Sequence, residues 1–147
     1  QKIHNLGLTY GLWREPERVA EDSDLYSARP DWCLRVPGRP AVRGRYQLVL
    51  DLSRPDVCDY LTGAINSLLS EARIEYIKWD MNRSIAEVYS AAADRQNPGE
   101  ILYRYVLGLS RFLERLHREY PELLNEGCSG GAGRFDAGMR YSHPQVR

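Results

Sequence analysis

This sequence has no excess of charge of either sign: 20 Lys and Arg stand against 20 Asp and Glu in 147 residues. That balance removes any global attraction to nucleic acid or to anionic lipid, and neither is expected as a partner. Long apolar runs are missing too. No stretch approaches the roughly 18 uncharged apolar residues of a membrane span, and the mean hydropathy of −0.52 agrees. Cysteine is scarce. Cys33, Cys58 and Cys128 are scattered, form no CxxC spacing and are too few for a disulfide framework. His4, His117 and His143 are isolated, so nothing points to zinc, and no metal or cofactor is expected. His117 falls on the polar side of a helical pattern and reads as solvated. The chain opens without Met and without a charged-then-apolar leader, which leaves no visible signal peptide and points to the cytoplasm. On the same ground the sequon Asn82-Arg83-Ser84 is read as unused.

What is present is ordinary globular composition: 43% hydrophobic, 27% charged and 10% aromatic. The length suits one domain able to bury a core. It falls short of the roughly 200 residues that a complete (β/α)8 barrel needs.

Short apolar runs alternate with long helical patterns. Leu8 to Trp13 reads as a strand, and residues 22–43 as a proline-broken excursion holding a short helix over Asp22 to Arg29. Tyr46 to Leu52 is β-like. Ser53 is placed as an N-cap, with Pro55 in the first turn of a helix. Its expected apolar stripe is Val57, Tyr60, Leu61, Ala64, Ile65, Leu68 and Leu69. Ile74 to Trp79 is a strand. A second helix starts at Asn97-Pro98-Gly99, with the stripe Leu102, Tyr105, Val106, Leu109, Phe112, Leu113 and Leu116. Leu123 to Glu126 is a buried strand, and Gly127 to Gly138 reads as a loop. Strands separated by helices of this length predict an α/β fold with a parallel sheet, whose crossovers the two helices supply.

In such folds ligands bind at the carboxyl ends of the strands. Trp13 stands there, as do Lys78, Trp79, Asp80 and Asn82, and Glu126 followed by Cys128-Ser129-Gly130-Gly131. An aromatic platform, a cation–carboxylate–amide trio and a small-residue loop suit a polyhydroxylated ligand. Lys78 lies two positions before Asp80, so on a strand both point to one face, and the cation favours the ionised carboxylate. A structural ion pair competes with that reading. Glu15 and Glu17 flank Pro16 after the first strand and read as solvated loop carboxylates, with a part in shaping the rim as the alternative; Asp22 and Asp24 read as capping or turn residues. The glycine-rich loop fails both phosphate-binding patterns: Asp136 stands where a dinucleotide fingerprint needs its third Gly, and Met139-Arg140 where a P-loop needs Lys-Ser/Thr.

Several segments together resemble the α-galactosidases of glycoside hydrolase family 36. They are Gly11-Leu12-Trp13 with Glu15-Pro16-Glu17, Asp22 to Tyr26, Arg29 to Trp32, Val36 to Pro40 and Gln47 to Ser53. Tyr76 to Arg83 carries the resemblance most, and Cys128 to Gly131 with Gly133 to Asp136 and Gly138-Met139 completes it. Arg14, Arg18 and Ala132 depart from the family's commoner residues.

The resemblance implies a fragment, residues 1–147, of a (β/α)8 TIM-barrel catalytic domain, approximately strands three to five with their helices. It also implies a retaining α-galactosidase working by double displacement on terminal α-galactosyl groups of the melibiose and raffinose type, with no cofactor and a homo-oligomeric parent. Asp80 then matches the catalytic nucleophile. Lys78 and Asn82 match its sugar-binding neighbours, Trp13 the aromatic wall, Arg45 a hydroxyl-facing cation, and Cys128 and Gly130 the loop near the 2-hydroxyl. The family's acid/base Asp follows a Tyr-x-x-Pro-Gln run, here Tyr141 to Gln145, and is expected beyond Arg147. The fragment alone is therefore expected to be inactive. Two other readings are a sugar-binding module that retains a hydrolase fold, and an α-N-acetylgalactosaminidase. The Cys-Ser-Gly-Gly form ranks the latter lower.

Overall fold

The computed structural model describes residues 2–93, 97–131 and 133–147, which form two compact units. The first comprises Gln1–Pro16, Tyr60–Asn82 and Ser110–Arg147. The second comprises Glu17–Asp59 and Arg83–Leu109.

A parallel four-stranded sheet organises the first unit. Its strands are β1 (Gly11–Arg14), β4 (Tyr76–Trp79), β5 (Leu124–Gly127) and β6 (Gln145–Val146), in the order β1-β4-β5-β6. Consecutive elements are therefore spatial neighbours, as crossover connections require. In Tyr76-Ile77-Lys78-Trp79 the alternation is strict: Ile77 and Trp79 are fully buried, whereas Tyr76 and Lys78 are only partly so. The Trp79 ring stacks on Phe112 at 5.1 Å between centroids, tilted by 50°, a favourable aromatic geometry. Trp13, Lys78 and Glu126 are direct register partners across β1, β4 and β5, so they share the opposite face.

In the second unit β2 (Arg18–Ala20) pairs antiparallel with β3 (Gln47–Val49). The segment expected as a strand over Tyr46 to Leu52 thus lies outside the parallel sheet. A five-residue helix α1 (Asp24–Ala28) is capped by the Ser23 hydroxyl, which accepts from Tyr26 N. Glu87 is buried, and its carboxylate accepts from Val36 N at 3.1 Å and Val42 N at 2.8 Å, tying down the proline-broken excursion. Arg83 donates to Gln47 O and Val42 O at 2.6 and 3.0 Å. Between those two anchor points Gly44 to Gln47 forms a tight turn, with Arg45 at φ +53° and Tyr46 at φ +61°. Positive φ at both central positions is the type I′ signature.

Both long helices differ in detail from the sequence reading. Helix α2 (Pro55–Glu71) begins at Pro55, and the Ser53 hydroxyl donates to Asp51 at 2.5 Å, so Ser53 is not its cap. Val57, Leu61 and Ile65 are buried along α2, but Tyr60 and Ala64 face outward. In α3 (Ile101–Glu119) the buried stripe is Ile101, Tyr105, Leu109, Phe112, Leu113 and Leu116, whereas Leu102 and Val106 are exposed. In each helix two apolar residues four apart, along one rim of the stripe, satisfied the periodicity without belonging to the core. The Gly127–Gly138 loop gives way to a helix unread in the sequence, α4 (Ala137–Ser142), capped by Asp136, which accepts from Met139 N at 3.0 Å. No helix among the described residues is long and apolar enough to cross a membrane.

Candidate functional site

The carboxyl ends of β1, β4 and β5 converge on Asp80. The strand ladder continues past β4, with Asp80 N donating to Arg14 O at 2.9 Å and Cys128 N to Trp79 O at 2.7 Å. Met81 N then donates to Cys128 O at 3.2 Å. Asp80 is thereby held rigidly at the rim and is 4% exposed.

Its carboxylate is surrounded by donors. Oδ2 accepts from Trp13 Nε1 at 3.0 Å and from Asn82 Nδ2 at 2.7 Å, while Oδ1 accepts from Met81 N at 2.9 Å. Burial pushes the carboxyl up, but the bonds from Trp13, Asn82, the Cys128 thiol and Met81 N outweigh it and hold Asp80 below its ordinary value. Hydrogen bonds to the charged form favour that form. Asp80 is thus kept ionised, the state a carboxylate nucleophile requires.

The reading of Lys78 as the cation that keeps Asp80 ionised is corrected here. Its ammonium pairs with Glu126, Nζ to Oε1 at 3.2 Å, because Glu126 is its register partner on β5. The neutral donors around Asp80 do the work assigned in the sequence to the cation. Tyr76 completes this pair by donating its hydroxyl to Glu126 Oε2 at 2.6 Å.

Trp13 serves two purposes: its N–H anchors Asp80 while the indole stays 48% exposed, open to a ligand. Behind Cys128, Gly130 and Gly131 take φ +58° and +84°, the left-handed region that favours glycine. The Ser129 hydroxyl donates to Met81 O at 3.2 Å and pins this loop to the exit of β4. Trp13, Lys78, Asp80, Asn82, Cys128 and Gly130 all belong to the first unit. Arg45 belongs to the second, exposed at the tip of its type I′ turn.

Several residues set aside in the sequence are not bystanders. Glu15 accepts from Asn82 Nδ2 at 2.8 Å and from Asn82 N at 3.3 Å. Glu17 is fully buried and accepts the Tyr105 hydroxyl at 2.5 Å. His4 bonds Glu75 at 2.9 Å, and His143 is fully buried, with Nδ1 3.3 Å from Met139 O. Their partners lie far along the chain or in an unread helix. Only the Glu-Pro-Glu pattern after the first strand could have drawn attention to Glu15.

A parallel α/β sheet with a buried, donor-ringed carboxylate at its strand ends, beside an exposed tryptophan, places the chain among α/β proteins of the kind that carry their sites at the carboxyl ends of the strands. The melibiase family profile matches residues 1–147. The chain is 50% identical over 146 residues to α-galactosidase AgaA of Geobacillus stearothermophilus, covering 99% of this chain and 20% of that protein. It is 51% identical over 145 residues to the bifunctional α-galactosidase/sucrose kinase AgaSK of Mediterraneibacter gnavus, covering 99% and 15%. A crystal structure of an AgaA variant in complex with stachyose superposes with a TM-score of 0.95 at 50% identity, over 99% of this chain and 20% of that one. The chain belongs to the melibiase family. It spans 15–20% of the length of these relatives.

Proposed function

We propose that this chain carries the nucleophile-bearing part of a retaining α-galactosidase, acting on terminal α-D-galactosyl groups of galacto-oligosaccharides. One observation carries the reading: a buried aspartate at the end of a parallel strand, kept ionised by four donors, with an open indole beside it. Relatives crystallised with stachyose and with raffinose support the substrate class.

In this reading Asp80 attacks the anomeric carbon as the protonated glycosidic oxygen leaves, giving a covalent glycosyl-enzyme that water then hydrolyses. Trp13 stacks on the apolar face of the galactosyl ring, and Lys78 and Asn82 bind hydroxyls. The Cys128–Gly130 loop approaches the 2-hydroxyl. Strands β1, β4, β5 and β6 would be successive staves, strands three to six, of a (β/α)8 barrel. The acid/base partner would be an aspartate beyond Arg147, at the end of the stave that β6 begins.

The test is Asp80→Asn in the complete enzyme, assayed on an aryl α-galactoside. Loss of at least about three orders of magnitude in kcat is expected, since removing a nucleophile abolishes the covalent route. Near-normal turnover would overturn the assignment. Residues 1–147 alone should give no measurable hydrolysis, for want of a group to protonate the leaving oxygen.

A further inference from the structure

Asn82 is clamped between two carboxylates. Its Nδ2 lies 2.7 Å from Asp80 Oδ2 and 2.8 Å from Glu15 Oε1, and its backbone N lies 3.3 Å from the same Glu15 oxygen. A carboxylate oxygen only accepts, so the side of the amide facing both acids must be the NH2. Both of its hydrogens are then committed, one to each carboxylate. The carbonyl Oδ1 is the polar atom that remains for a ligand. Asp80 alone would leave the amide held at a single point and free to swing; Glu15 supplies the second bond that fixes it and a further one to the Asn82 backbone.

We propose that Glu15 is a positioning residue of the galactoside site: it locks the Asn82 amide so that its NH2 stays on Asp80 and its Oδ1 is presented as an acceptor to a sugar hydroxyl. The inference rests on the reading of Asp80 as nucleophile. Glu15 acts through Asn82 and touches no reacting atom.

The charge of Glu15 and its acceptor capacity are separable. Glu15→Gln removes the charge but keeps an oxygen that can accept from Asn82. Glu15→Met removes both at similar length. The titratable and charged groups on the elements around Asp80 are Arg14 and Glu15 on and after β1, Tyr76 and Lys78 on β4, and Glu126 and Cys128 on and after β5. Of these only residue 15 changes between the two variants, and neither substituent is charged. A difference between the variants therefore reports the acceptor at position 15, and its dependence on Asn82 is read in the Asn82→Ala background.

In the complete enzyme, Glu15→Met should raise KM for an aryl α-galactoside about tenfold over Glu15→Gln, the worth of roughly one ordered hydrogen bond. The acidic limb of its kcat/KM profile should sit at higher pH than that of Glu15→Gln, because Asp80 loses a steady donor. In an Asn82→Ala background the difference between Met and Gln at position 15 should vanish, as it must for residues acting as one unit. If Glu15→Met does not fold, Glu15→Ala makes the same comparison. Equal KM and equal acidic limbs in the Gln and Met variants would overturn the proposal. So would a Met effect that persists undiminished without Asn82. The Asp80→Asn control separates the failures: an active Asp80→Asn enzyme refutes the nucleophile, whereas an inactive one with indistinguishable position-15 variants refutes only the role of Glu15.

Discussion

Lys78 and Glu126 face one another across β4 and β5, with Nζ 3.2 Å from Oε1, and the Tyr76 hydroxyl closes the other carboxylate oxygen at 2.6 Å. The lysine two residues before Asp80 is thus balanced by a carboxylate on the neighbouring strand, not by Asp80. Glu126→Gln in the complete enzyme should raise KM for an aryl α-galactoside about tenfold with a smaller change in kcat, as Lys78 loses its orientation. It should also lower stability by about 1–3 kcal/mol, the usual result of removing one partner of a buried polar pair. Initial-rate kinetics and thermal unfolding check both.

The same cluster sets a pH dependence of stability. Tyr76 donates to Glu126, which with Lys78 and Arg147 outweighs burial and holds the Glu126 carboxyl below its ordinary 4.5. A depressed carboxyl stabilises the fold above the unfolded value, and that stability is lost as pH falls through the folded one. Asp80 acts in the same direction. On the alkaline side, burial and the bond to Glu126 push Tyr76 from 10.0 up to about 12. Its neutral form is favoured in the fold, so its contribution is complete below pH 10 and lost as pH rises toward 12. Cys33, pushed up by burial from 9.0 to about 12, acts across an overlapping range. Denaturant unfolding from pH 9 to 12 should therefore show a steeper loss in the parent than in Tyr76→Phe, with the remaining slope reduced further by Cys33→Ala.

Helix α3 meets the chain just past β3 at Gly108, where an added Cβ would fall 1.8 Å from Leu52 O. The obstacle is backbone and cannot rotate away. Gly108→Ala should destabilise by about 3 kcal/mol, the upper range of overpacking, despite alanine's better helix propensity. Chemical denaturation measures it, and a neutral result would mean that helix and loop are not held together.

Arg45 and Tyr46 both occupy the left-handed region at the type I′ turn, which favours Asn and Gly. Tyr46 is 89% exposed, so packing does not compensate it. Tyr46→Asn should stabilise by about 1 kcal/mol through relief of this strain. Thermal unfolding tests this directly.

The character of each main element was legible in the sequence, because periodicity is a property of neighbouring residues. The alternation of Tyr76 to Trp79 and the 3–4 spacing of Leu109, Phe112, Leu113 and Leu116 act within one strand or one turn of helix. The place of Asp80 was legible too, since parallel strands carry ligands at their carboxyl ends wherever the fold takes them. Tertiary structure decided the partners. Trp13 reaches Asp80 from 67 residues away, Glu15 reaches Asn82 across the same separation, and Tyr76 finds Glu126 50 residues on. Register between strands, which no local pattern encodes, sent Lys78 to Glu126 and left the ionisation of Asp80 to neutral donors. The short α4 and the two-residue β6 exist only because a cap and a neighbouring strand stabilise them. The sequence by itself set where Asp80 stands; the fold decided what holds it ionised, because hydrogen bonds form between residues that only chain folding brings together.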